Sequence, residues 1–296
     1  MKILVIGQSL EDHISYKGKT AVKPGGIFYT VLGLKNFLES NDNISLLTSV
    51  EEKQLTLFSP VYDDIDKTYF SYVDKIPRVY LNITDENERG ECYSLVNQNL
   101  SLEHIKDFKA FDGILINMIT GYDITIDQLR KIRAASDKPI FFDVHTLARG
   151  IDEKGIRNFR TIPEFENWAK NIDILQVNET EFSLLFDIKD KNNILKRLFD
   201  CGINILLITK GVLGAKVFYK KNGEVVSIFV SSLKVETKNR VGCGDVFGAV
   251  FFYVYIKDGD IDKALKLANI AGGCTASYDK MQNFERLKKD VYERLG

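Results

Sequence analysis

Short apolar runs that stop at a polar residue, each followed by a stretch with helical periodicity, recur along this chain and leave it few folds to choose from. Residues 3–6, 44–48, 113–117, 140–143, 174–177 and 205–209 read as buried strands; residues 27–38, 126–135, 165–170, 179–186 and 193–201 read as helices. Alternation of this kind predicts a mostly parallel sheet covered by helices on both faces, a three-layer α/β/α architecture. Two stretches break the rhythm. Between about residues 67 and 96 lie β-type segments at 68–73, 78–84 and 91–96, with turn residues Asp85-Glu86-Asn87 and Arg89-Gly90 between the last two, which predicts a small β-rich insertion. Residues 216–219 and 225–230 flank Lys221-Asn222-Gly223 and predict an antiparallel hairpin. Three helices, starting near Asp245, Asp260 and Phe284, close the chain, and no internal repeat or linker divides its 296 residues, which form one domain.

The last of the strand-to-helix transitions carries the chemistry. Val241-Gly242-Cys243-Gly244-Asp245 leads into Val246, Phe247, Ala249, Val250 and Phe251, apolar on more than one helical face, so a buried helix starts at the glycines. A helix start offers unpaired N–H groups and the positive end of the dipole, and glycines let a phosphoryl group come close. Asp245 beside such an anion site is either a helix cap or a general base for an incoming hydroxyl. The string by itself leaves both open.

Composition narrows the class. Forty basic and forty-one acidic residues nearly cancel, so neither a nucleic acid nor a membrane surface is an expected partner. No apolar run nears the roughly 20 residues that span a bilayer, and the start Met1-Lys2-Ile3-Leu4-Val5-Ile6-Gly7 reads as a strand, so the cytoplasm is the expected location. The four cysteines have no CxxC spacing, and with three histidines they make no zinc cluster. Gly7-Gln8-Ser9-Leu10 lacks the further glycines of a dinucleotide fingerprint, which weighs against an oxidoreductase.

Five segments in order resemble the ribokinase-like (PfkB) family of carbohydrate kinases over almost the whole chain: Gly7 to His13, Gly25-Gly26, Asn178-Glu179-Thr180-Glu181, Thr209 to Ala215, and Gly242-Cys243-Gly244-Asp245. The resemblance implies a ribokinase-like fold whose β insertion is a lid over the sugar and often a homodimer contact. It implies an ATP-dependent kinase phosphorylating a hydroxyl of a small sugar, polyol or nucleoside. Asp12, in the loop after the first strand, Gly25, Gly26 and Thr30 would bind that acceptor. Asp245 would be the general base, with the backbone of Gly242, Cys243 and Gly244 as anion hole. Thr209, Gly211, Gly214 and Asn269 would line the nucleotide, and Asn178 and Glu181 would hold Mg²⁺ through water. The residues themselves keep other readings open. Asn178 and Glu181 have the spacing of a capping box, Thr209 to Gly214 that of a plain turn, and Asn269 that of a helix-face amide bonded to backbone.

Departures from the family pattern fall at the acceptor end. Thr30 and Leu32 stand where relatives usually have asparagine and alanine, so the hydroxyl pattern read there differs from that of ribose. Asn239-Arg240-Val241 replaces an aspartate and two threonines, which puts monovalent-cation activation in doubt. These changes keep a second function in view, a non-catalytic sugar or nucleotide sensor on the same scaffold. Asp143-Val144-His145, Arg149, Arg89 with Glu91, and Arg157 with Arg160 are further candidates for contact with substrate hydroxyls or a substrate phosphate.

Overall fold

The first strand shows how the core is divided. In β1 (Lys2–Ile6) alternate side chains go to opposite faces, and all four apolar ones are buried: Ile3 and Val5 pack into one hydrophobic cluster, Leu4 and Ile6 into another. A strand buried on both faces needs helices above and below it. The structure, a computed structural model, describes residues 1–16, 18–83, 90–96, 98–239 and 241–295. Arg240, Arg89 and the expected turn residues 85–87 lie outside them.

After β1 come β2 (Ser9–Tyr16), β3 (Lys19–Gly26), α1 (Phe28–Lys35), β4 (Asn43–Glu51), α2 (Leu55–Tyr62) and β5 (Phe70–Val73). The next elements are β6 (Arg78–Ile83), β7 (Gly90–Leu95), β8 (Gly113–Asn117), α3 (Ile126–Ala135) and β9 (Ile140–Asp143). A short hairpin, β10 (Arg149–Ile151) and β11 (Arg157–Phe159), precedes α4 (Phe165–Ala169), β12 (Ile174–Asn178), α5 (Glu179–Leu184) and α6 (Lys191–Asp200). The chain ends with β13 (Ile205–Thr209), β14 (Gly214–Lys221), β15 (Glu224–Ser231), α7 (Cys243–Asp258), α8 (Ile261–Ser277) and α9 (Leu287–Leu295).

Nine strands form the main sheet in the order β15-β14-β13-β12-β9-β8-β1-β4-β5. Its pairs are parallel from β13 to β5, and the β13-β14-β15 edge is antiparallel. The β14–β15 turn has Asn222 and Gly223 at φ 53° and 84°, the double left-handed geometry of a tight hairpin, as the Asn-Gly pair predicts. One face carries α1, α7 and α8. The other is covered by the buried side chains of α3, α4, α5 and α6. Within α7 every residue from 246 to 254 is buried, the all-round burial that its composition calls for.

The second sheet differs from the expected insertion. Its order is β3-β2-β6-β7, so only two of its strands come from residues 67–96; β5 instead pairs with β4 at the edge of the main sheet. The other two strands come from residues 9–26, which puts Asp12 on a strand and corrects the loop expected there. Asp12, buried, sits in the same strand phase as Leu10, and Glu11, also buried, hydrogen-bonded to His13 and ion-paired with Arg78, sits in the other. Charge on both faces hides the period-2 signal. Pro60 conceals α2 in the same way, since a helix-interior proline argues against a helix whose Phe58, Val61 and Tyr62 are nonetheless buried.

Candidate active site

Parallel strands bring their carboxyl ends to one rim. β1, β8, β9, β12 and β13 therefore present Gln8, Asn117, Asp143, Asn178 and Thr209 along the same edge. The start of α7 lies against that rim. Gly242 is its N-cap at φ 83°, and a Cβ there would sit 2.3 Å from the Tyr29 ring, so both backbone and packing demand glycine. A Cβ at Gly244 would meet no heavy atom within 4 Å, which leaves that side of the helix start open. Asp245 is the third helical residue rather than the cap. One of its oxygens accepts a hydrogen bond from Asn117 Nδ2 at 2.7 Å.

Two concave spaces share this helix start. A narrow pocket under the second sheet is lined by Asp12, Gly26, Tyr29, Glu91, Tyr93, His145, Gly242 and Asp245. On the other side a groove of about 750 Å³ is lined by Thr209, Gly211, Gly214, Leu233, Cys243, Gly244, Phe247 and Asn269. Gly25 stands behind the pocket wall, where a Cβ would lie 2.4 Å from the Asp12 carboxyl carbon, so glycine makes room for that carboxylate. Thr30 is also off the wall, buried at 1% exposure with its hydroxyl 3.3 Å from Asn117 Nδ2. In the groove, Thr209 donates to Val177 O at 3.4 Å and Asn269 Nδ2 to Ser231 O at 2.8 Å. The segment from Thr209 to Gly214 is indeed the β13–β14 turn, closed by Lys210 N donating to Gly214 O at 2.8 Å, and it lines the groove as well.

Asp143 lies where the rim meets α7, within electrostatic reach of two further carboxylates. Burial pushes the Asp143 carboxyl well above the usual carboxylate range, and the charges of Glu181 and Asp245 push it further the same way. Asp143 accepts from Gln176 Nε2 at 2.7 Å and from His145 N at 3.1 Å, and the same Gln176 nitrogen donates to Gly244 O at 3.1 Å. Asn178 and Glu181 form a reciprocal capping box at the start of α5, each side chain accepting from the other's backbone N–H at 2.8 Å. No group of three metal-binding side chains occurs among the described residues. A hydrated cation suits this arrangement better than a caged one, because Glu181 uses one oxygen in the cap and a carboxylate has about four lone-pair directions.

A family profile described as "pfkB family carbohydrate kinase" matches residues 54–286, more than half of the chain. The chain belongs to the pfkB family. Among curated relatives, an uncharacterized sugar kinase of Archaeoglobus fulgidus is 30% identical over 128 residues, 43% of this chain and 49% of that one. A deoxyribokinase of Salmonella typhi is 29% identical over 130 residues, 40% of this chain and 41% of that one. The match thus spans less than half the length of these relatives. Two solved structures share the pfkB-family fold: Arabidopsis thaliana ribokinase with ribose and ATP has a TM-score of 0.75 at 15% identity over 99% of this chain and 98% of its own. A putative ribokinase II from E. coli with ATP and Mg has a TM-score of 0.76 at 16% identity over 99% of both chains.

Several candidates in this pfkB-family chain have partners inside the protein. Arg149 pairs with Glu91 at 3.0 Å and stacks 4.7 Å over Phe159; Arg157 lies 4.2 Å over the Tyr93 ring and bonds to Arg149 O and Thr120 O. Asn239 closes a turn, accepting from Val241 N at 3.1 Å. Asn117 and Gln176, which brace the start of α7, and Tyr29 and Tyr93, which line the narrow pocket, belong to the candidate site and were missed by sequence reasoning. The available signal was a polar residue ending or interrupting an apolar strand: Asn117 closes β8, and Gln176 sits inside β12.

No described helix is long and apolar enough to cross a membrane.

Proposed function

We propose that this chain transfers the γ-phosphoryl group of ATP to a hydroxyl of a small sugar, polyol or nucleoside. The observation that carries the proposal is the shared wall: Gly242 and Asp245 face the narrow pocket, Cys243 and Gly244 face the groove. An acceptor on one side and a nucleotide on the other would then meet at N–H groups suited to a phosphoryl group. Asp12 and the backbone at Gly26 orient the acceptor. Asp245 takes the hydroxyl proton as the acceptor oxygen bonds to the γ-phosphorus. The bond from that phosphorus to the bridging oxygen breaks, and ADP leaves. Backbone N–H groups from Gly242 to Asp245 stabilise charge on the transferring group. Magnesium would neutralise the nucleotide's phosphates when bound, held through water by Asn178 and Glu181. Thr209, Gly211, Gly214 and Asn269 line the nucleotide, and the groove's apolar walls at Leu233 and Phe247 suit a nucleoside better than bare pyrophosphate.

The test is a coupled ADP-release assay with Mg-ATP against a panel of sugars, polyols and nucleosides, with direct detection of phosphorylated product when pyrophosphate replaces ATP as a control donor. Acceptor-dependent ADP release is expected. No phosphorylated product from any acceptor, despite ATP binding, would overturn the proposal.

A further inference from the structure

We propose that Asn117 is the positioning residue of the phosphoryl-transfer site, holding Asp245 in its working orientation and in its ionised form. The inference rests on the general-base reading of Asp245. Asn117 ends β8 and is 1% exposed. Its amide nitrogen bridges two helices, donating to Asp245 Oδ1 at 2.7 Å and to Thr30 Oγ1 at 3.3 Å. The atom facing Asp245 must be the nitrogen, because an amide oxygen there would oppose a carboxylate with no proton between them.

The other half of the amide is unsatisfied: Asn117 Oδ1 is buried and has no hydrogen-bond partner. An orphaned buried acceptor destabilises the fold, so packing alone does not explain an asparagine here. The donor half does. A hydrogen bond to a carboxylate fixes its plane and favours the charged state, which is what a proton acceptor needs before it can act. Other titratable groups face the same place: Asp12 on β2, Glu91 and Tyr93 on β7, Tyr29 on α1, and Asp143 and His145 at the end of β9, with Glu181 beyond Asp143. All of them persist when Asn117 is replaced, so the difference between wild type and variant isolates the amide.

The experiment compares wild type, Asn117→Leu and Asn117→Asp in the ADP-release assay across pH, with thermal melts alongside. For Asn117→Leu, kcat falls about 10- to 100-fold and the acidic limb of the kcat/KM profile moves up by about one pH unit. KM for ATP is unchanged, since Asn117 is off the groove wall, and the melting temperature is held or raised. Asn117→Asp, nearly isosteric, serves if the leucine variant fails to fold; two adjacent carboxyls would share a proton and move the limb further up. An unmoved limb in a folded variant, with or without a fall in kcat, overturns the proposal. Asp245→Asn run beside them separates the two readings: if it retains turnover the base assignment itself is wrong, whereas a silent Asp245→Asn with an unmoved limb in the Asn117 variants removes only the positioning role.

Discussion

Two glycines two residues apart have opposite consequences when replaced by alanine. At Gly242 the backbone is left-handed, φ 83°, and the added methyl would lie 2.3 Å from the ring of Tyr29, which is itself buried at 5% exposure. The left-handed conformation costs roughly 1 to 2 kcal/mol for a residue with a Cβ, and overpacking adds roughly 1 to 3, so Gly242→Ala should lose about 2 to 5 kcal/mol of stability. At Gly244 the methyl meets nothing within 4 Å, and alanine is the better helix former, so stability should hold or rise by up to about 1 kcal/mol. Helical Cβ atoms tilt toward the N-terminus, so this methyl enters the space assigned to the phosphoryl group. Losing one charge-assisted hydrogen bond there is worth roughly 1.5 to 3 kcal/mol, a ~10- to ~150-fold fall in kcat. Urea denaturation and ADP release on both variants give the answer. A fully stable Gly242→Ala, or a Gly244→Ala enzyme with wild-type kcat, would refute the reasoning.

Glu181→Gln keeps a side chain that completes the capping box and removes only the charge, so the melting temperature should hold while the magnesium concentration for half-maximal rate rises; no change in that concentration would leave Glu181 as a cap alone. The buried Asp143 gives a stability prediction in pH. Its carboxyl is pushed up in the folded state, so the fold keeps a proton that the unfolded chain releases near pH ~4; stability therefore falls as pH rises from there, by at most about 1.4 kcal/mol per unit, and levels off above the folded-state titration. Melts of wild type and Asp143→Asn between about pH 5 and about pH 8 should diverge with rising pH, and a constant gap would contradict this.

The main sheet was legible because strands buried on both faces are unbroken apolar runs, as in residues 3–6 and 205–208, and the connecting helices keep their period. The second sheet was not. Leu10 and Ile14 share a strand phase with Asp12, and no local pattern tells which sheet residues 70–73 will join. For the site, the Gly242-Cys243-Gly244-Asp245 run could be read because one part of the glycine requirement at Gly242, its left-handed dihedral at a helix start, is local; the Tyr29 ring that also demands glycine comes from a distant helix. Asn117 lies 128 residues from its partner Asp245, and only the sheet order brings them together. Asn178 and Glu181 stayed ambiguous for a different reason: one spacing serves a cap and a hydrated metal equally well, and the structure shows the cap.

In the proposed reaction Asp245 takes the acceptor's proton at the wall between pocket and groove. Its most direct test is Asp245→Asn, measured for acceptor-dependent ADP release and, in parallel, for ATP binding by calorimetry. Turnover should fall by ~10² to 10⁴ with nucleotide affinity unchanged, the loss typical of a missing general base. Turnover within a few-fold of wild type would contradict it.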